Sequence, residues 1–271
     1  MSTTSRDRGG PRSWQAALAG AAMVLLPVLA AHAQSLKEFR LSPLADATVF
    51  TAQGGGTDYD QVADGRGGSL WTSVTAGGVV RRALVKFDLS PLPPGAVVQS
   101  VQLSIHQIRS REDHPVALHR LLGPWTEGPA DGGDAGVGAL ASAGDVTWTH
   151  RSWPDQTWAV RGTDYVPTAS GSVLVAGAPA TYTWPSTAQM VADVQLWLNQ
   201  PATHHGWLLI GKETGEQNAK RFASRENGSV TSRPVLVVMA TVPADLDVPL
   251  PAWALLLLGG ALLAPLLRRR G

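Results

Sequence analysis

The sequence predicts an all-β protein, a sandwich or barrel of short antiparallel strands with one flanking α-helix. Three observations predict it. Polarity alternates with a period of two in "RRALVKFDL" (81–89) and "SVQLSIHQI" (100–108), the mark of half-buried strands. Glycine (29) and proline (19) punctuate the chain at short intervals, as turns between strands require. Apolar residues recur at helical spacing in one segment, "STAQMVADVQLWLNQ" (186–200).

The elements follow in chain order. The start has a basic lead (Arg6, Arg8, Arg12), an apolar run from Ala16 to Ala31, and Ala31-His32-Ala33. This is the layout of a signal peptide, 1–33, cut by signal peptidase after Ala33. Residues 34–44 read as a linker. The domain proper is expected over 45–242. Its first strands are "DATVFT" (46–51) and "SLWTSV" (69–74). In 81–89, Ala83, Val85, Phe87 and Leu89 share one face, and Arg82, Leu84, Lys86 and Asp88 the other. "SPLPPGAVV" (90–98) supplies a turn, because its prolines cannot donate to a ladder. In 100–108, Val101, Leu103 and Ile105 oppose Gln102, Ser104 and His106. "PVALHRLL" (115–122), "DVTWTH" (145–150), "SVLVAG" (172–177) and "ATYTW" (180–184) read as further strands. So do "GWLLIG" (206–211), "KRFASRE" (220–226) and "RPVLVVMAT" (233–241). The Gly-rich "EGPADGGDAGVGALASAG" (127–144) reads as a long, mobile surface loop. The helix has Ser186 or Thr187 as N-cap and Met190, Val191, Val194, Trp197 and Leu198 on its apolar stripe. "NQPATHHG" ends it.

Residues 243–271 read as a linker and a C-terminal sorting or transmembrane segment. Ala252 to Leu267 carries no charge and, with Leu250 and Pro251, comes near the lower limit of about 17 residues for a span. Arg268, Arg269 and Arg270 would stay cytoplasmic, which leaves the domain outside. Val248-Pro249-Leu250-Pro251-Ala252, the apolar stretch and the arginines resemble a PEP-CTERM-type sorting signal of the VPLPA variety. Leu250 stands where the commonest form has glutamate. The resemblance implies processing near Val248, Pro249 and Pro251 by an exosortase-type transpeptidase in the inner membrane. The alternative is a permanent single-span anchor. On either reading the protein works at the cell surface or beyond it.

The 271-residue chain has 22 basic and 21 acidic residues, a net charge of +1. Setting aside Arg6, Arg8, Arg12, Arg268, Arg269, Arg270 and Asp7 leaves 16 basic and 20 acidic residues, about −4. The apparent basicity belongs to the two ends, and no global field argues for a nucleic-acid partner. With no cysteine, the fold must rest on a hydrophobic core, which a domain of this size can build.

Seven blocks occur in order: "ADATVF", "RRALVKFDLSPLPPGAVVQSVQLSI", "VALHRLLGPWTEG", "GDVTWTHR", "YTWPSTAQMVADVQLWLNQPATHHGWLLIGKE", "AKRFASREN" and "RPVLVV". Together, over about residues 45 to 241, they resemble DNRLRE-domain proteins, also grouped with family 96 carbohydrate-binding modules. The resemblance implies a secreted jelly-roll-type antiparallel β-sandwich, and some members bind acidic polysaccharides such as alginate. Asp58-Tyr59-Asp60 departs from the Asn-Tyr-Gly frequent in the family after the first strand. No catalytic domain accompanies the module, so the role of an enzyme's helper does not carry over.

Several residues are candidates for ligand binding. On a strand, Arg221 and Arg225 share a face, and a pair of guanidiniums suits the carboxylates or sulfates of an acidic glycan. Arg82 and Lys86 would extend that patch. The same side chains would serve structurally if they paired Asp46, Asp88 or Glu226. Trp153 and Trp158, in the irregular "HRSWPDQTWAVRG", are candidates for stacking on sugar rings, with core or loop anchoring as the alternative. Asp58, Asp60 and Asp64 offer hard oxygen ligands to a structural calcium, or form a solvated turn. His204 and His205 are adjacent on an extended chain and point apart, so a loop role suits them better than a metal site. Glu127 and Asp145 are the carboxylate pair that glycoside cleavage would need. The reading is therefore a secreted, non-catalytic β-sandwich without cofactor that binds or resides in extracellular polysaccharide. The alternatives are a structural or adhesive matrix protein with no sugar site and a polysaccharide lyase or hydrolase.

Overall fold

Val101, Leu103 and Ile105 from one layer and Ala83, Val85 and Phe87 from another meet in a single buried cluster. That shared cluster is what alternation with a period of two produces when two sheets pack face to face. The structure, a computed structural model, describes residues 34–51, 61–133 and 135–243. It is an all-β sandwich with one flanking helix.

Among the described residues the strands run in chain order as follows. They are β1 (Gln34–Leu41), β2 (Pro43–Phe50), β3 (Val62–Asp64), β4 (Ser69–Val74), β5 (Val80–Phe87) and β6 (Val97–Arg109). Then come β7 (His114–Arg120), β8 (Ala139–Leu140), β9 (His150–Ser152), β10 (Gln156–Thr157), β11 (Gly171–Val175) and β12 (Ala180–Trp184). Helix α1 (Ala188–Asn199) precedes β13 (Trp207–Ile210), β14 (Lys220–Ala223) and β15 (Val235–Pro243). One layer orders β1-β15-β6-β14-β4, with β12 also on β6; the other joins β2, β5, β13, β7 and β11. The short β4–β5 pairing, Ser73↔Arg81 and Val74↔Val80, links the two layers. All the pairings are antiparallel.

Thr187 caps α1: its Oγ1 accepts from the Met190 N–H at 3.0 Å. Met190, Val194 and Trp197 face the main core, where Trp197 meets Trp207 edge-on at 4.7 Å. Trp184 satisfies its own indole by donating to the Val116 carbonyl at 2.8 Å, as buried tryptophans usually do. Leu84 and Leu208 point to the opposite face of their layer and pack with Ala47, Val49, Leu121, Trp125, Val146 and Trp158 in a second core. The connection from Leu121 onward therefore covers the outside of that layer.

Four expectations are corrected. Residues 34–41, read as part of a linker, form β1, which pairs with β15 from Gln34↔Pro243 to Leu41↔Leu236. "DVTWTH" is a turn up to Thr149 and only its His150 enters a strand, β9, because Thr147 Oγ1 accepts from the N–H groups of Thr149 and His150 and bends the chain. The extended run in "KRFASRE" stops at Ala223. The Gly-rich segment is packed against the body rather than loose. A Cβ on Gly136 would sit 2.4 Å from the Trp71 ring, and Gly136 has φ +66°. The expected signal peptide, Ala33, Val248, Pro249, Pro251 and the C-terminal apolar stretch lie outside the described residues. Among those described, no helix is long and apolar enough to cross a membrane.

Candidate functional site

Residues directly opposite on an antiparallel ladder share a face. On β14, Phe222 points into the main core, so Arg221 points out. Its ladder partners are Trp71 on β4 and Arg109 on β6. The three therefore form one row across the outer surface of the sheet. Arg81, opposite Ser73, joins the row from β5. Its guanidinium lies 4.9 Å from the centre of the Trp71 ring, and that of Arg221 lies 5.6 Å away. Arg111, on the turn after β6, donates from Nη1 to Gln217 Oε1 at 2.6 Å.

These residues surround a cavity of about 280 Å³, lined by Trp71, Thr75, Arg81, Arg109, Arg111 and Gln217. Arg81 and Trp71 lie deep, at 7% and 8% exposure, while Arg109 and Arg111 are exposed at the rim. Among the described residues neither Arg109 nor Arg111 forms an ion pair. The Trp71 Nε1–H is buried without an acceptor. Cations stacked on an indole suit its negative face, so the tryptophan serves as a platform for arginines. The open rim guanidiniums present forked donors that match a carboxylate or sulfate.

The residues singled out from the sequence are dispersed around this groove. Arg221 belongs to it. Arg225 does not, because the strand has ended. Its Nη1 contacts Glu127 Oε2 at 2.7 Å and Glu226 Oε1 at 2.9 Å, and its backbone N–H donates to Asp46 Oδ2. Arg82 is locked in a structural role, but its partner is Glu213 rather than Asp46, Asp88 or Glu226. Its Nε and Nη2 reach both oxygens of Glu213 at 2.6 and 2.8 Å, its Nη1 donates to the Gly162 carbonyl, and it stacks on Trp148. Lys86 sits in another cavity of about 410 Å³, lined in part by Phe87, Leu92, Pro93, Trp197 and His204. Burial lowers its amine below the usual lysine range. Trp158 is a core residue whose Nε1 donates to the Thr147 carbonyl at 3.0 Å. Trp153 is half-buried, with His150 against its ring at 4.5 Å.

Asp64 is buried rather than in a solvated turn. Its Oδ1 accepts from the Gly67 and Gly132 N–H groups, both at 3.0 Å. Burial pushes its carboxyl up to about 6, against the pull of those two hydrogen bonds. Asp58 and Asp60, its partners in the calcium reading, lie outside the described residues. Carboxylate oxygens of Asp46, Glu127 and Glu226 lie within 4.8 Å of one another, the one such acidic trio among the described residues. Arg225 already supplies counter-charge there, and Glu127 Oε1 accepts from the Asp46 N–H at 2.8 Å. Burial, with Glu226 beside it, raises the Asp46 carboxyl well above its ordinary value.

Glu127 and Asp145, the pair considered for glycoside cleavage, both close loops. Asp145 is fully buried and accepts from the Ala130 and Ser142 N–H groups at 2.9 and 2.6 Å. His204 donates from Nε2 to the Phe87 carbonyl at 2.8 Å and is lowered to about 4 by burial. It is a neutral loop anchor. Trp71, Arg81, Arg109 and Arg111 were not singled out from the sequence. Their signal was there in "SLWTSV", "VVRR" and "IRSR", but only the strand register brings them together. Scanned against protein-family models the chain has no match, and no curated protein matches it.

Proposed function

We propose that this chain is a secreted, surface-sorted, non-catalytic β-sandwich of the DNRLRE type that binds acidic extracellular polysaccharide through the arginine groove. The observation that carries the reading is the row of Arg81, Arg221 and Arg109 on the two sides of Trp71, with Arg111 at the rim. The Trp71 ring is covered by guanidiniums and nearly inaccessible, so it offers little surface for a neutral pyranose to stack on. Recognition would rest on charge, and salt should weaken it. Sec export, removal of residues 1–33 by signal peptidase, transient inner-membrane insertion and exosortase-type processing of the tail belong to the same proposal. Gln34 already lies in β1, which suits a cut after Ala33.

Affinity electrophoresis of the full-length chain through gels cast with alginate, polygalacturonate or a neutral β-glucan tests the function. Retardation is expected in the two polyanion gels alone, reduced by added salt and lost in the Arg109→Ala/Arg111→Ala double variant. Unchanged mobility in both polyanions would sink the reading. It would instead favour the structural matrix role, for which the ion-paired Arg82 and Arg225 are the supporting observation. New reducing or unsaturated ends after incubation would mark a hydrolase or lyase.

A further inference from the structure

We infer that Lys220 is a positioning residue for the arginine groove, its buried ammonium holding the 110–113 turn in the conformation that presents Arg109 and Arg111. The inference rests on the polyanion-binding reading of that groove. Lys220 is the first residue of β14 and alternates with Arg221, so it points inward where Arg221 points out. Its side chain is among the largest that are fully buried. Nζ donates to Ser110 Oγ at 2.8 Å, to the Glu112 carbonyl at 2.7 Å and to the Val175 carbonyl at 2.7 Å.

Three donors meet three oxygen acceptors, and none of the three is a carboxylate. Ser110 and Glu112 flank Arg111, and Arg109 immediately precedes Ser110. Val175 ends β11. One ammonium thus ties the ends of β6 and β11 to β14, beside the groove. An apolar side chain would fill the same space without the cost of burying a charge. What it could not supply is three hydrogen bonds converging on a turn that has no ladder of its own.

The cage is complete only in the charged form, because a neutral amine has two hydrogens and gives up one of its three donations, even though Ser110 Oγ also donates to the Glu112 carbonyl at 3.1 Å. Burial lowers the Lys220 amine to about 8, while Asp113 and Glu112 pull it upward. The other charged or titratable groups around the turn are His114, whose Nε2 meets the Asn218 carbonyl, and Lys212, paired with Glu112 at 2.8 Å. Raising the pH through about 8 should loosen the turn while the rim arginines keep their charge.

The test uses the full-length chain in a mild non-ionic detergent, as wild type and as Lys220→Met, titrated with polygalacturonate at pH values of about 6.5 and 9.5. Wild-type affinity should fall on the order of tenfold across that range. The variant should bind about tenfold more weakly at the lower pH and show a flat profile. Equal affinity with a parallel profile overturns the inference while leaving the groove reading intact. A second measurement needs no ligand and no variant: the Nε–Hε NMR signals of Arg109 and Arg111 should shift with a midpoint near the titration of Lys220. Signals that stay still across the range overturn the positioning role, even if the wild type retains no polyanion and the groove reading falls separately.

Discussion

Arg82 and Arg221 show how little a residue type says without its neighbours. Both are arginines on strands, each with a basic residue before it and an apolar one after it. One is enclosed by Glu213, Gly162, Trp148 and Tyr165, and the other stacks on Trp71 at the margin of a groove. The sequence gives each its face, through alternation. It does not give the partner across the ladder, which depends on pairings up to 150 positions away, such as Arg221↔Trp71. Arg82 is largely buried together with Glu213. Arg82→Met should therefore strand a carboxylate and destabilise the fold by roughly 2 to 4 kcal/mol. Polyanion retention of the folded fraction should be unchanged. Chemical denaturation measures the first effect and affinity electrophoresis the second. A variant of wild-type stability would show the pair to be idle.

At the scale of elements, the strands with two well-separated faces were legible, and so was the helix with its cap. The elements that were missed lack that contrast. β1 carries Leu36, Lys37, Glu38 and Arg40, all exposed, on the margin of its layer. A charged margin of this kind discourages pairing with other chains, and it also erases the pattern that would announce a strand. The Gly-rich stretch misled for a different reason. Its glycines permit close approach to Trp71 and Asp145, and the carboxylates of Asp64 and Asp145 take up its N–H groups. Composition suggested looseness where the contacts impose order. Helix α1 depends on Thr187, which caps it and also donates to the Ser170 carbonyl. Thr187→Ala should cost about 1 to 2 kcal/mol, read as a lower thermal midpoint with unchanged β-sheet circular dichroism. A midpoint equal to the wild type would mean that packing alone holds the helix.

For the molecule as a whole, stability should depend on pH through its buried acids. Asp46 and Asp64 are both raised by burial. A raised carboxyl contributes stability that is complete below its unfolded value and disappears as pH climbs through its folded value. For Asp64 that window runs from the ordinary aspartate value of 3.8 to about 6. Asp64→Asn keeps an oxygen for the Gly67 and Gly132 N–H groups and removes the buried charge. It should stabilise the fold at about pH 7.5 by on the order of 1 to 3 kcal/mol and leave it nearly unchanged at about pH 4. Thermal melts at the two values decide it, and an equal difference at both would exclude Asp64 as the titrating group.

The first strand of the sandwich lies against its last, register by register from Gln34↔Pro243 to Leu41↔Leu236. Such a seam cannot be closed by a partial chain. Every residue up to Pro243 must have emerged from the ribosome, and from any translocation pore, before β1 finds its neighbour. Until then the half-made layer has an open lip, and its completion must wait for β15 to be threaded.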